Sequence, residues 1–201
     1  MKPSPARPAG RWHYACRVGA QPPLSLADWI VLCLVDENPT HGFAVAALTA
    51  EHGQVGRAWH LPRPIVYRCL DRLTDLELVR VEATEAGRRG PKRSILTTTR
   101  AGHAAAGTWL REPVAHVRDV RSELLVKLAL RLRRGIPPAE LIAAQRAAFT
   151  PVQTALERQH ASETGFGQIL TSWRVENVRA AMRFLDDIDS TATKPTTPTR
   201  R

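Results

Sequence analysis

The sequence contains few of the residues that build covalent or metal-held frameworks. Its 201 residues include three cysteines, Cys16, Cys33 and Cys69. An odd number of cysteines without metal-ligand spacing argues against both a disulfide scaffold and a zinc site. Cys33 and Cys69 lie in apolar helical patterns, which is typical of reduced core cysteines in an intracellular protein.

Long apolar runs are also missing. No run approaches the roughly 18–20 apolar residues of a membrane-spanning helix, and the basic N-terminus lacks the continuous apolar stretch of a secretory signal. We therefore expect a cytoplasmic protein with no membrane partner. Apolar residues still make up 43% of the chain, which predicts a globular protein of one or two domains.

Catalytic motifs are absent as well. The chain has no glycine-rich nucleotide loop, no serine nucleophile elbow and no zinc-protease motif. The seven histidines are scattered, with no cysteine or carboxylate cluster beside them. Asp186, Asp187 and Asp189 are better explained as solvated charges at a helix end than as a catalytic pair. We expect no enzyme, no metal and no cofactor.

Positive charge is present in excess, with a formal net charge of +10. The excess is local. Residues 57–100 contain ten arginines and lysines against five acidic residues, and residues 1–23 contain four against none. A localised basic patch favours a polyanionic partner, most often nucleic acid, although charge of this kind also aids solubility.

Two helices are predicted before the basic stretch. Ser25 is a plausible cap for a buried first helix over residues 26–36. Thr40 then caps a second helix of roughly residues 41–52. The inward face of this second helix is predicted from apolar spacing to consist of Phe43, Ala46, Ala47 and Ala50.

A third helix begins at Arg63 and Pro64, because proline suits the first helical turn. Its apolar stripe consists of Val66, Cys69, Leu70, Leu73 and Leu76. The opposite face carries Tyr67 and Arg68, with Arg72 on its flank. Such a helix can pack its leucines on a core and lay its other face in the DNA major groove. A solvated surface helix is the alternative.

Two β-prone runs follow, at residues 78–82 and 94–99, joined by the Gly-rich basic loop 85–93. They predict a hairpin. Three helices followed by a hairpin is the order of a winged helix-turn-helix, in which the hairpin tip reaches the DNA backbone beside the groove. The candidate backbone contacts are Arg88, Arg89, Lys92 and Arg93.

This order resembles the PadR family of bacterial transcriptional regulators, over roughly residues 24–112. The resemblance is carried by His41-Gly42-Phe43, Val66-Tyr67-Arg68-x-Leu70-x-x-Leu73, Glu77-Leu78-Val79, the Gly87–Arg93 wing and Thr99-x-x-Gly102. The sequence departs from the family at three positions. The family often has Gly in the position of Glu77 and Tyr in the position of Leu96. Pro64 stands where a small polar residue is common. The residues expected to contact DNA are Arg63, Tyr67, Arg68, Arg72 and His41, together with the four cations of the wing.

The remaining residues predict three amphipathic helices, over 116–134, 138–161 and 166–189. Pro151 should kink or split the second of them. Their apolar surface exceeds what three helices can bury against one another, and PadR-like proteins have a helical dimerisation region here. We therefore expect a homodimer, with a monomeric bundle as the alternative. The candidate dimer contacts are Leu124, Leu128, Leu170, Trp173, Asn177 and Phe184.

The sequence thus predicts a mainly α protein with a small β-hairpin. Its parts are a disordered basic arm (1–23), a winged helix-turn-helix DNA-binding domain (24–112), a C-terminal α-helical dimerisation domain (113–189) and a disordered tail (190–201). The resemblance implies a dimeric repressor of a pseudo-palindromic duplex operator. If the repressor responds to a small-molecule effector, the expected pocket lies at the dimer interface near Trp29, Trp59 or Trp173. Packing in the core is the alternative explanation of each tryptophan. An RNA- or ribosome-associated protein and a winged-helix protein-interaction module are the competing hypotheses.

Overall fold

The computed structural model describes residues 24–85 and 93–192, which form seven α-helices, one 3₁₀ helix and one β-hairpin. The arm at 1–23, the hairpin tip at 86–92 and residues 193–201 lie outside the described residues. The predicted class, mainly α with a small hairpin, is confirmed. The elements in chain order are α1 (Leu26–Glu37), α2 (Gly42–Thr49), α3 (Arg63–Asp75), β1 (Val79–Glu85), β2 (Arg93–Thr98), α4 (Arg100–Trp109), the 3₁₀ helix (Val117–Arg121), α5 (Glu123–Arg133), α6 (Ala139–Ser162) and α7 (Gly165–Ala192).

The first helix begins as its sequence predicts. The Ser25 hydroxyl accepts a hydrogen bond from the backbone N–H of Asp28, and the Asp28 carboxylate accepts one from the backbone N–H of Ser25. This reciprocal capping box satisfies two amides that the first helical turn leaves without partners. Within α1, the residues from Ile30 through Val35 are almost fully buried.

The second helix differs from its prediction. Thr40 does not cap it, because Thr40 pairs with Leu96 of β2 in an isolated β-bridge. The helix ends at Thr49, and Val45 and Ala46 face the core. Phe43 is 64% exposed, and Ala47 and Ala50 are exposed too. The predicted inward face was therefore right at Ala46 and wrong at Phe43, Ala47 and Ala50. Almost every residue of α2 is small or apolar, so apolar spacing does not distinguish its buried face.

The hairpin is antiparallel, with Val79 opposite Thr98 and Glu85 opposite Arg93. Its register shifts between Val81 and Ala83, which marks a bulge in β1. The bridge from Thr40 extends the sheet by one residue pair beyond β2. Helices α1 to α3 followed by this hairpin form a winged helix.

Two apolar cores lie in the described residues. The first is built from α1, α2, α3, the hairpin and α4, and it includes Trp109 and Leu110. The second is built mainly from α5, α6 and α7. Helix α5 contributes to both, because Val126 and Leu130 belong to the first core and Leu124 and Leu128 belong to the second.

One expectation about the C-terminal helices was wrong, and a second was wrong in part. The stretch 116–134 is not one helix, since the backbone leaves helical geometry at Ser122 (φ −124°, ψ −83°) between the 3₁₀ helix and α5. Of the kink or split expected at Pro151, the split does not occur, because α6 continues through Pro151 to Ser162.

In the turn from α3 into β1, one residue has a backbone conformation that residues with side chains rarely adopt. Glu77 has φ of 55°, in the left-handed region, and it stands where PadR-like sequences often have glycine. Gly102 then allows α4 to approach this turn, since a Cβ there would lie 2.0 Å from the Leu78 carbonyl oxygen.

Across the described ranges, no helix has both the length and the apolar character needed to cross a bilayer.

Candidate nucleic-acid interface

Helix α3 is fixed to the first core along one face. Val66, Cys69, Leu70 and Leu73 are buried, as the apolar stripe predicted. Proline occupies the first helical turn and no side chain caps its amides. The N-terminal amides of α3 therefore add a partial positive charge at the end of the helix that carries Arg63.

The other face of α3 is open to solvent. Arg63, Arg68 and Tyr67 are exposed, Tyr67 at 39%. Arg63, Tyr67, Asp71 and Asp75 follow one another at four-residue spacing and line one wall of a cleft of about 840 Å³. The N-terminus of α2 and the hairpin residues Val81, Ser94 and Leu96 complete the cleft. The structure thus brings the start of α2, the exposed face of α3 and the base of the hairpin together on one concave surface.

Helices α2 and α3 approach each other closely at Gly42. A Cβ at this position would lie 2.9 Å from Cδ1 of Leu70 and 3.0 Å from Cε1 of Tyr67. Only glycine leaves room for this approach without a shift of those side chains. The approach sets the neighbouring Phe43 beside the first turn of α3.

The guanidinium of Arg63 lies over two aromatic rings. Its Cζ is 5.4 Å from the centroid of Phe43 and 5.6 Å from the centroid of Tyr67. Both distances are within the range of a cation–π interaction. Phe43 is the residue of this surface that sequence reasoning missed. Its place after a glycine at a helix start was the available signal.

His41 joins α2 to the hairpin. Its Nδ1 lies 3.1 Å from the backbone oxygen of Ser94, so Nδ1 carries the proton and donates. Hydrogen bonds between the backbones of Thr40 and Leu96, of 2.9 and 2.8 Å, reinforce this connection. The structure places His41 in the wall of the cleft, held to β2.

Arg72 has a structural contact. Its Nη1 donates to the Asp28 carboxylate at 3.0 Å, and that carboxylate also accepts from the Ser25 hydroxyl at 2.7 Å. The Asp28 side chain is only 3% exposed, so Arg72 neutralises a buried charge. This pairing ties α3 to the start of α1, while the Arg72 side chain stays 35% exposed.

The wing cations are only partly described. Arg88, Arg89 and Lys92 lie outside the described residues, and so does the side chain of Arg93. The two strands nevertheless establish where the loop leaves and re-enters the fold, at Glu85 and Arg93.

Cys69 lies on the buried face of α3. Burial, together with repulsion by the nearby Asp28 carboxylate and a hydrogen bond to it, raises the pKa of its thiol to about 12. Burial likewise raises the pKa of the Cys33 thiol to about 12. Neither thiol is a nucleophile at neutral pH. No group of three or more potential metal ligands occurs within 24–85 and 93–192.

The predicted dimer contacts divide into two sets. Leu124 is fully buried and Leu128 is 7% exposed, both in the second core of one chain. In the single chain they expose almost no surface to a partner. On α7, by contrast, Leu170 is 37% and Trp173 is 69% exposed. Asn177 and Phe184 lie on the same side of that helix and are half-buried.

Sequence comparison identifies the region that contains this surface. Residues 31–108 match the transcriptional regulator PadR-like family. This part of the chain, 78 of its 201 residues, is therefore PadR-like in sequence. The match runs from α1 to α4, and so it includes every helix and strand that lines the cleft.

Solved structures resemble the larger part of the chain. Bacillus subtilis PadR in complex with operator DNA is 16% identical, with a TM-score of 0.43, over 84% of this chain and 99% of that one. Bacillus subtilis PadR in complex with p-coumaric acid is 16% identical, with a TM-score of 0.37, over 88% of this chain and 100% of that one. No curated protein matches the chain.

Proposed function

We propose that this protein is a dimeric, sequence-specific transcriptional repressor whose α3 helix enters the major groove of an operator. The observation that carries the proposal is the concave surface on the PadR-like domain, where Arg63 and Tyr67 line the cleft beside the hairpin. Arg68 is exposed on the same helix, outside the lining of that cleft. Base edges in the groove are read by such side chains at the start of a recognition helix. The protein acts by binding rather than catalysis, in the cytoplasm where the bacterial chromosome lies.

The wing supplies the second part of the interface. Its four cations, Arg88, Arg89, Lys92 and Arg93, follow one another within six residues of the loop and the start of β2. Phosphate contacts of this kind position a protein on DNA and make its affinity depend on salt. Arg72, which pairs with the Asp28 carboxylate and is 35% exposed, stays a candidate contact on the flank of this surface.

The apolar face of α7 supports the dimer. Phe166, Ile169, Leu170 and Trp173 are 76%, 67%, 37% and 69% exposed in the single chain. A contiguous apolar patch of this kind marks an interaction surface. A two-fold dimer would present two copies of α3 to the two halves of a pseudo-palindromic operator.

A small-molecule effector that changes operator affinity has a candidate binding site beside α7. A groove of about 820 Å³ runs between the 3₁₀ helix and α7, and Trp173 and Phe184 line it beside Arg118, Arg121 and Arg174. Trp29 stacks on Trp109 at 5.4 Å, and neither Trp29 nor Trp59 lines this groove. Rings beside guanidinium groups suit a flat aromatic anion. Such an anion should raise the melting temperature of the wild type and not of Arg121→Ala.

Selection of bound duplexes from a random pool, followed by titration of single variants, tests the proposal. Arg68→Ala should cost about 1–3 kcal/mol of operator affinity and relax one operator position. Lys92→Ala should weaken all duplexes alike and reduce the salt slope by about one. Arg158→Ala, which removes an exposed arginine on α6, is the matched control. It should change neither the operator affinity nor the salt slope.

The same titration separates the competing hypotheses. An RNA-binding protein would prefer RNA to duplex DNA of the same sequence. A protein-interaction module would bind its partner with little dependence on salt. A wild-type protein that enriches no duplex from the pool, even at low ionic strength, would contradict the proposal.

A further inference from the structure

An exposed phenylalanine on the PadR-like domain is not explained by packing. Phe43 is 64% exposed, and it belongs to neither apolar core. The close approach at Gly42 holds the start of α2 against Leu70 and Tyr67. The backbone therefore presents the Phe43 ring on the concave surface, beside the first residue of α3.

Phe43 lies beside the cation that begins α3. The guanidinium of Arg63 lies over the rings of Phe43 and Tyr67, at 5.4 and 5.6 Å. Among the described residues, no hydrogen bond or ion pair involves the Arg63 guanidinium. Its N–H groups are therefore available to a partner outside this part of the chain.

Two rings limit the orientation of this guanidinium without using its hydrogen bonds. Cation–π contacts act on the flat face of the group, whereas its N–H bonds point outward in the plane. A long arginine side chain normally loses rotamer entropy when it binds, and contact with the rings reduces that loss. Orientation matters for a planar bidentate partner far more than for a phosphate, which accepts from many directions.

The chemistry of guanidinium selects one base. Arginine has donors only, so a bidentate contact needs two acceptors side by side. In the major groove, guanine alone presents two acceptors, N7 and O6, whereas adenine pairs an acceptor with a donor and thymine offers one acceptor. The start of a recognition helix is where base edges are contacted in helix-turn-helix proteins.

We propose that Phe43 is a specificity-determining positioning residue: with Tyr67, it holds Arg63 so that its guanidinium donates to N7 and O6 of one guanine in each operator half-site. This inference rests on the proposed function and deepens it. Phe43 acts through Arg63, and Arg63 makes the base contact.

The test replaces single atoms of the operator. Each guanine of the selected duplex is changed in turn to 7-deazaguanine, which loses the N7 acceptor and keeps Watson–Crick pairing. For the wild type, one symmetry-related guanine should be sensitive, with a loss of roughly fivefold to tenfold in affinity per half-site, at the lower end of what one bidentate contact contributes. The operator affinity of Arg63→Ala should not change when that guanine is replaced by 7-deazaguanine.

The Phe43 variants distinguish positioning from simple contact. Phe43→Ala and Phe43→Leu should bind the unmodified operator more weakly and respond to 7-deazaguanine less than twofold. Phe43→Tyr and Phe43→Trp should restore the sensitivity, because they restore a ring face for the guanidinium. Leu132→Ala removes a comparably exposed apolar side chain on α5 and should keep the wild-type pattern. Since Phe43 is exposed, melting temperatures should stay close to that of the wild type.

Three outcomes overturn the inference, and they are distinguishable from one another. In the first, the wild type binds its operator but no guanine is sensitive to the loss of N7. In the second, Phe43→Ala weakens all duplexes alike and keeps full sensitivity at the same guanine. In the third, the wild type selects no duplex, and the proposed function then fails together with this inference.

Discussion

Nη1 of Arg134, at the end of α5, donates a hydrogen bond of 2.9 Å to Oδ2 of Asp36, near the end of α1. The Asp36 side chain is 1% exposed and also accepts from Thr98 at 2.8 Å and His103 at 2.9 Å. One buried carboxylate therefore connects α1, β2, α4 and α5. Beside it, Arg133 makes a two-bond contact with Glu37, at 3.1 and 2.7 Å. Through these pairs, α5 joins the winged helix to the C-terminal helices.

Loss of the Asp36 carboxylate should destabilise the whole fold. Asp36→Ala leaves the largely buried Arg134 guanidinium without its ionic partner, and breaking a buried pair from one side costs about 3–5 kcal/mol. Urea unfolding measures the change in the free energy of unfolding. Asp75→Ala, which removes an exposed carboxylate on α3, is the control and should change it little. A loss below 1 kcal/mol for Asp36→Ala would contradict the connecting role.

Replacement of Glu77 by glycine should stabilise the protein, because it removes the backbone strain at this position. The left-handed region costs a residue with a side chain roughly 1–2 kcal/mol, and glycine avoids that cost. Glu77→Gly also makes the unfolded chain more flexible, which offsets part of the gain. We expect a net increase of about 0.5 kcal/mol in the free energy of unfolding. Glu77→Ala keeps the strain and should show no increase. If Glu77→Gly and Glu77→Ala changed the free energy of unfolding equally, the positive φ at residue 77 would not be what destabilises the protein.

A charge on the exposed face of α7 should separate the subunits. Trp173→Glu places a carboxylate where the proposed interface excludes water, and burying an unpaired charge is strongly unfavourable. Light scattering after size exclusion should show the mass of one chain instead of two, and operator affinity should fall. Gln168→Glu adds the same charge on another side of α7, at an exposed position, and should remain dimeric. A dimer that survives Trp173→Glu would show that the interface lies elsewhere.

The two described cysteines should be unreactive in the folded protein. Burial raises the pKa values of Cys33 and Cys69 to about 12, from an ordinary value near 9. In a Cys16→Ser variant at pH 8, Ellman's reagent should label neither thiol until denaturant is added, and then two per chain. Because both pKa values are raised on folding, their stabilising contribution is complete below pH 9 and is lost as pH rises toward 12. Rapid labelling of the native variant would contradict this prediction.

Much of the winged helix could be predicted from local signals. Ser25, three residues before Asp28, indicated the start of α1, and the apolar stripe of α3 identified its buried residues correctly. The hairpin followed from two β-prone runs around a Gly-rich loop. These features depend on residues a few positions apart, and so the sequence expresses them directly.

Side-chain roles were harder to predict. Arg72 carries the same charge as Arg68, yet it is paired with Asp28, 44 residues away in the sequence. Leu124 has the same apolar character as Leu170, but one is buried within the chain and the other is exposed. Residue type does not distinguish these cases, because the difference lies in which other element packs against each residue.

By itself, the sequence determined the order of the winged-helix elements, the excess of positive charge around α3 and the resemblance to PadR-like regulators. Only the tertiary structure decided that Phe43 faces outward beside Arg63, that Arg72 neutralises a buried carboxylate and that α5 belongs to both cores. The physical reason is that propensity, capping and apolar periodicity act within a few residues of the chain. Ion pairing, ring contacts and close helix approach depend on distances between elements, and those distances exist only after the cores have packed.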